Sequence, residues 1–175
     1  MYYISSIFSD SKNKYAYSVF VACSEEDEPT GKDVYERLCG CGVKCAAEFD
    51  GVSHPGCAVK IKRTAEVIAT SKHVVLIFSK NSCSQAPCSD NCTYQLILAL
   101  DQLQHRSGKD VVIRILLDGV QHREVPLLQK GFLADLLKGS KSVCIDYDRN
   151  NPTAWVPKLV QSLNGKMIIV KSKSY

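Results

Sequence analysis

Long apolar runs are absent from this chain of 175 residues. The longest, residues 74–78 and 96–100, are far shorter than the roughly 20 residues that cross a bilayer, so we expect no direct membrane insertion. The first twelve residues, MYYISSIFSDSK, have no basic start followed by a long apolar stretch, and they are not expected to act as a secretory signal. The sequence therefore predicts a cytoplasmic protein.

The chain also lacks a strong net charge and several well-known nucleotide and nucleophile motifs. A formal charge of +4 does not indicate a nucleic-acid partner. No G-x-x-x-x-G-K-S/T loop, G-x-G-x-x-G turn or G-x-S-x-G elbow is present, so those kinds of nucleotide site and serine hydrolase are unsupported. What remains is 45% apolar and 23% charged, the balance of an ordinary globular domain of this length.

Cysteine is plentiful, and the odd count of nine argues against a complete disulfide framework. Two groups of three thiols are worth testing as zinc sites, but neither supplies the paired knuckles and four ligands of a structural zinc site, so no metal is predicted. Redox-sensitive surface thiols at Cys83 or Cys88 are an alternative to plain structural cysteines. Six cysteines lie in or beside apolar segments and are expected to act as small hydrophobes, namely Cys23, Cys39, Cys41, Cys45, Cys57 and Cys144.

Five short apolar runs alternate with helical patterns along the chain. Strands are predicted at residues 17–22, 43–47, 73–79, 111–117 and 142–147. The first helix is predicted to begin within residues 30–33 and to end at Gly40 and Gly42. Further helices are predicted at 57–70, 92–105, 127–138 and 155–163. This alternation predicts an α/β, flavodoxin-like three-layer domain with a five-stranded parallel sheet of order 2-1-3-4-5 and helices on both faces.

The predicted organisation is one domain at residues 15–165, with an N-terminal extension at 1–14 and a C-terminal tail at 166–175. In a sheet of this kind, ligands and partners meet the loops at the carboxyl ends of the strands. Those loops begin near Ser24, Asp50, Ser79, Asp118 and Asp148.

Four segments in this order resemble the Toll/interleukin-1 receptor (TIR) domain family. Residues 17–27, a strand ending in a serine and acidic residues, resemble the first conserved box, and Phe49-Asp50 with Pro55-Gly56 resembles the second. Residues 68–79 are similar to the helix end and third strand that follow. Trp155 stands where the family often has a phenylalanine-tryptophan pair, but alanine precedes it here, and residues 51–54 are extra in the second box.

The resemblance also bears on catalysis. Enzymatic TIR domains cleave NAD and carry a glutamate after a cysteine or tryptophan, and the matching context here, residues 91–96, places Gln95 at that position. A glutamine can hydrogen-bond a ribose but cannot neutralise an oxocarbenium charge. We therefore predict no catalytic residue and no cofactor. The alternatives are a TIR-family NAD hydrolase or cyclase with an atypical acid, which would take NAD as substrate, and a domain that binds a nucleotide without cleaving it; Gln95 itself could also be a plain solvent-facing helix residue.

The second-box loop is the predicted interaction loop, because in TIR domains this loop docks onto a neighbouring domain. Pro55 has a fixed φ and restricts the residue before it, while the glycines allow unusual backbone conformations. A plain surface loop is the alternative. The residues predicted to form the interaction loop are Phe49, Asp50, Gly51, His54, Pro55 and Gly56.

Charge is unevenly spread around that loop. Residues 24–50 hold eight acidic and three basic side chains, and residues 55–80 hold five basic and one acidic. Two ordinary solvated faces would explain this, but an acidic and a basic surface that meet between copies would give a head-to-tail filament. The candidate acidic interface is Glu25, Glu26 and Asp27, and the candidate basic interface is Lys60, Lys62 and Arg63.

The predicted function is that of a non-enzymatic TIR signalling module. It is expected to assemble with other TIR domains, homotypically or heterotypically, and so relay an innate-immune or cell-death signal. The mechanism would be proximity, since association raises the local concentration of whatever is fused or recruited.

Overall fold

A computed structural model describes residues 15–24, 26–49, 57–79, 112–116 and 143–164, without the side chains of 57–62, 112–114 and 116. These ranges hold five strands and three helices in chain order. They are β1 (Tyr17–Ala22), α1 (Glu28–Gly40), β2 (Cys45–Ala47), α2 (Cys57–Ala69), β3 (Ser71–Phe78), β4 (Val112–Leu116), β5 (Val143–Asp146) and α3 (Pro152–Leu163).

The five strands form one sheet in the order β2-β1-β3-β4-β5, and every neighbouring pair is parallel. Val19 lies opposite Cys45 on one side and His73 on the other, which places β1 beside the centre of the sheet. The predicted flavodoxin-like α/β fold is confirmed. The predicted helices at 92–105 and 127–138 lie outside the described residues.

The central strands are buried on both faces, and this explains their continuous apolar sequence. Side chains of alternating position point to opposite faces of a strand. Val75 and Ile77 of β3 join the hydrophobic cluster that α1 and α3 cover. Leu76 is 1% exposed between them and belongs to the opposite face, where α2 supplies the fully buried Ile68.

Helix α1 begins at Glu28, two residues before the predicted start, and has a proline in its first turn. At its other end the N–H of Val43 donates to the carbonyl of Leu38 (3.0 Å) and the N–H of Gly42 donates to that of Cys39 (2.9 Å). This pair of bonds is the Schellman motif, which requires a left-handed residue, and Gly42 has φ +78°. The glycine predicted to end the helix does so.

Helix α3 packs one stripe onto the sheet. Trp155, Leu159 and Leu163 recur every fourth residue and are at most 5% exposed. The helix begins at Pro152, three residues before the predicted start, because proline suits the first helical position.

The prediction that six cysteines act as small hydrophobes is wrong for Cys39, Cys41 and Cys144, which are exposed. Cys41 was expected on the apolar stripe of Val34 and Leu38, but α1 ends at Gly40 and Cys41 lies in the turn beyond it. Cys45 is buried and Cys23 partly so, as expected, while the side chain of Cys57 lies outside the described residues. In the described part of the chain, no three histidine, cysteine or acidic side chains are placed to hold a metal ion.

Within the described ranges, none of the helices combines the length and the apolar character that a membrane span requires.

Leu159→Ala should lower the free energy of unfolding by about 3 kcal/mol, because it removes a fully buried side chain between α3 and the sheet and leaves a cavity. The neighbouring exposed residue supplies the control, since Lys158→Ala should change stability by less than about 0.5 kcal/mol. Urea denaturation followed by Trp155 fluorescence measures both. Equal effects of the two substitutions would contradict this packing of α3.

Candidate functional site

The carboxyl ends of parallel strands meet at one edge of a sheet, and this edge is where α/β domains of this topology bind ligands and partners. In the described residues this edge is lined by Cys23 and Ser24 after β1, Phe49 after β2, Ser79 after β3 and Tyr147 after β5. Most of the described polar groups at this edge lie in the turn after β1 and in the first turns of α1.

The turn between β1 and α1 is closed by a buried serine and aspartate. The hydroxyl of Ser24 donates to Oδ2 of Asp27 (2.9 Å) and accepts from the backbone N–H of Asp27 (3.3 Å). The carbonyl of Asp27 then accepts from the N–H groups of Thr30 (3.0 Å) and Gly31 (2.9 Å), which starts the helix. Ser24 is 1% and Asp27 6% exposed, so this pair of side chains shapes the turn.

Cys23 is the thiol closest in sequence to this turn, and its surroundings suppress its ionisation. Burial raises the pKa of Cys23 to about 12, and the nearby carboxylates of Asp27, Glu28 and Glu48 act in the same direction. A thiol that stays protonated at neutral pH is a poor nucleophile. The arrangement therefore suits packing and not covalent chemistry.

Phe49, the first residue of the predicted interaction loop, packs against α1. Its ring meets that of Tyr35 edge-on, with 5.8 Å between centroids, and the ammonium of Lys32 lies 5.9 Å from its centroid. Lys32 is itself paired with Glu28 one turn earlier at 2.6 Å. The chain thus enters the predicted loop from a residue that is held by the first half of α1.

A second network joins α1 to the end of β5. The Nε of Arg37 donates to both carboxylate oxygens of Asp33, each at 2.9 Å, and the hydroxyl of Tyr147 donates to Asp33 Oδ2 at 3.0 Å. The hydrogen bond to Asp33 raises the pKa of Arg37. Partial burial, together with this same carboxylate, raises the pKa of Tyr147 to about 12.

Trp155 completes this network from α3. Its indole N–H donates to the carbonyl of Asp148 (2.9 Å), its ring lies 5.1 Å from that of Tyr147, and the guanidinium of Arg37 lies 6.0 Å from its centroid. The tryptophan that carries the family resemblance near the C-terminus is therefore a buried packing residue that ties α3 to the segment after β5.

The structure places only part of the predicted interaction residues. Of the interaction loop, Phe49 is described, whereas Asp50, Gly51, His54, Pro55 and Gly56 lie outside the described residues, as does Gln95. Those assignments stay predictions.

The two candidate charged interfaces are placed in part. Glu26 is exposed, but Asp27 is buried in the turn and contributes to its shape instead of to an exposed acidic surface; Glu25 lies outside the described residues. Arg63 is exposed on α2, the helix that also carries Lys60 and Lys62, whose side chains are not described. Glu26 thus lies in the turn at the carboxyl edge of the sheet, and Arg63 lies on α2, away from that turn in the sequence.

The network of Asp33, Arg37 and Tyr147 was not foreseen from the sequence. The spacing of Asp33 and Arg37 is that of an ion pair on one helical face, and this signal was readable. Tyr147 lies 114 residues from Asp33 in the sequence, so no local pattern reports their contact.

Comparison with known proteins identifies the family. A family model described as TIR domain matches residues 19–159, most of the chain. The chain belongs to the TIR domain family. A search of curated protein sequences found no match.

Solved structures resemble the fold at low sequence identity. A metazoan TIR-STING receptor from C. gigas, in complex with 2',3'-cGAMP, matches with a TM-score of 0.61 and 18% identity, over 88% of this chain and 41% of that one. This chain thus spans less than half of that receptor. The TIR domains of the activated Roq1 resistosome, which directly recognises the pathogen effector XopQ, match with a TM-score of 0.57 and 18% identity, over 87% of this chain and 100% of that one.

Tyr147→Phe should lower the free energy of unfolding by about 1 kcal/mol at neutral pH, because it removes the hydrogen bond to Asp33. The folded-state pKa of Tyr147, about 12, is higher than its ordinary value of 10.0. The advantage of the wild type should therefore be constant below pH 10 and shrink as the pH rises from about 10 to 12. Urea denaturation of both proteins across this range gives the difference.

Tyr17→Phe is the control, since Tyr17 begins β1, at the amino ends of the strands, and takes no part in this network. If the difference in free energy of unfolding between wild type and Tyr147→Phe were the same at pH 12 as at pH 7, the hydrogen bond from Tyr147 to Asp33 would not be its cause.

Proposed function

We propose that this chain is a non-enzymatic TIR signalling module that associates with other TIR domains, its own copies included, to relay an innate-immune or cell-death signal. The observation that carries the proposal is the match of the TIR domain family over residues 19–159, combined with Gln95 at the position where the resemblance implies a catalytic glutamate. The domain boundaries proposed are residues 15–165.

The matched structures support a role in assemblies. One is named as a receptor and the other as an activated resistosome, and the fold of this chain is similar to the TIR domains in both. Association in these terms needs no chemistry from the domain, because it acts by raising the local concentration of attached partners.

In the described part of the carboxyl edge, three groups that could carry chemistry are engaged in the fold. Asp27 is hydrogen-bonded to Ser24, and Asp33 is hydrogen-bonded to Arg37 and Tyr147, so both carboxylates stabilise the fold. The thiol of Cys23 is held in its neutral form. None of these three groups offers a nucleophile or an available carboxylate for cleavage of a glycosidic bond.

The charge distribution supports a head-to-tail contact. Glu26 is exposed beside the start of α1, and Arg63 is exposed on α2. Two unlike surfaces at different places on one domain give a heterologous contact, which propagates into a filament or a larger oligomer. Rim charges of this kind act mainly on the association rate and on register, so the contact should weaken with salt.

Charge reversal tests the assembly. Sedimentation velocity of the 175-residue chain should show concentration-dependent self-association, and Arg63→Glu should weaken it by about tenfold, which is about 1.4 kcal/mol. Lys158→Glu, the same change at an exposed position of α3, is the matched control and should leave association unchanged. Combining Arg63→Glu with Glu26→Lys in a second copy should restore mixed association.

If Arg63→Glu and Lys158→Glu behaved alike, the proposed basic interface would be wrong. If the wild type stayed monomeric at every concentration and did not bind another TIR domain, the assembly function itself would fail.

Consumption of NAD tests the absence of catalysis. The purified chain at high concentration with a crowding agent should release no nicotinamide, because glutamine cannot neutralise the positive charge that develops on the ribose. Gln95→Glu is the informative variant, since a gain of nicotinamide release would mark position 95 as a lost catalytic site. Release of nicotinamide by the wild type would instead identify a TIR-family NAD hydrolase or cyclase that uses another acid.

A further inference from the structure

Gly31, in the first half of α1, lies where two other segments approach the helix. A β-carbon built on Gly31 would come within 2.6 Å of the Cys23 sulfur and 3.0 Å of Cε1 of Phe49. The first distance is shorter than real β-carbon contacts, and the second is at their tight limit. Cys23 and Phe49 therefore both close onto α1 only because residue 31 has no side chain.

The backbone of Gly31 does not explain the glycine. The residue is buried within a helix, and the left-handed φ among the described glycines belongs to Gly42. In a helix interior, glycine is less favourable than alanine by about 1 kcal/mol. The glycine lowers the stability of the helix, and in return Cys23 and Phe49 can approach it closely.

Phe49 is held from α1 at three positions that share one side of the helix. Gly31 receives the edge of its ring, Tyr35 meets it edge-on at 5.8 Å, and the Lys32 ammonium lies 5.9 Å from its centroid. Phe49 ends the turn after β2 and is the first residue of the interaction loop, whose other residues lie outside the described ranges. The contacts with α1 therefore fix the position of Phe49, the residue of the interaction loop that the structure describes.

We propose that Gly31 is a positioning residue for Phe49, the first residue of the interaction loop: its bare α-carbon lets Phe49 dock on α1, and the docked Phe49 favours association. This inference rests on the proposed function for the effect on association, but the docking itself does not. A residue that is already held in place loses less conformational freedom on binding, so the docking strengthens association.

Cys23 reports on the docking. Its thiol shares the contact with Gly31, and burial keeps it protonated and slow to react. Phe49→Ala and Gly31→Ala should each speed the alkylation of Cys23 by iodoacetamide by about tenfold, as ring removal or the added methyl opens this contact. Peptide mass spectrometry resolves the site, and the exposed Cys39 and Cys41 serve as internal standards whose rates should not change.

A double substitution separates the two neighbours of Gly31. With Cys23→Ala in place the sulfur is gone, and the remaining contact to the β-carbon of residue 23, at 3.6 Å, is ordinary. Adding Gly31→Ala then displaces only Phe49. The double variant should melt close to Cys23→Ala, because the higher helix propensity of alanine offsets the lost contacts of Phe49, yet it should self-associate about tenfold more weakly.

Gly40→Ala is the matched control. It makes the same change in the same helix, where a β-carbon meets nothing within 4 Å. It should leave both the alkylation of Cys23 and the self-association unchanged.

The outcomes separate the inference from the proposed function. Faster alkylation of Cys23 with weaker association of the double variant supports both. Unchanged alkylation of Cys23 in Phe49→Ala and Gly31→Ala overturns the docking. Unchanged self-association of the double variant overturns the effect of the docking on association. If the wild type does not associate at all, the proposed function fails, and the alkylation rates alone then decide for or against the docking.

Discussion

The parallel pairing of β1 with β3 is the constraint on which the rest of this domain depends. Parallel neighbours cannot be joined by a tight turn, so the chain must cross over each time, and the crossovers α1 and α2 cover opposite faces of the sheet. Covered on both sides, β1 and β3 are continuously apolar where both faces are buried, at residues 19–22 and 74–78. The same parallel pairing brings all carboxyl ends to one edge, where the polar turns can gather.

Helix α1 organises that edge. Along its length it receives the turn after β1 through Asp27, the end of β2 through Gly31, and the end of β5 through Asp33. Each contact uses different chemistry: hydrogen bonds that start the helix, a close approach without a side chain, and a charged network capped by Tyr147. One rigid element thus positions three segments that are distant in the sequence, and this suits a domain whose proposed role is to present a surface.

Much of the fold was predictable because its signals are local. The strand predicted at 73–79 is β3, which spans Ser71–Phe78, and the predicted glycine stop is the turn at Gly42 just after α1. Burial on both faces and the Schellman turn leave a direct imprint on the residues involved. The predicted starts of α1 and α3 are two and three residues too late, because each helix has a proline in its first turn and proline is also typical of loops. The prediction that Cys41 lies on the apolar stripe of α1 is wrong, because the helical spacing does not continue beyond the end of the helix.

For the candidate site too, some features follow from the sequence and others only from the tertiary structure. The sequence by itself determined the strand order, the family and the residue types at the predicted interaction loop and at position 95, because these depend on periodicity and motif order. Only the tertiary structure decided that Asp27 is buried, that Gly31 admits Phe49 and Cys23, and that Asp33 meets Tyr147. Those facts depend on distances between segments brought together by folding, and a linear pattern carries no record of such distances.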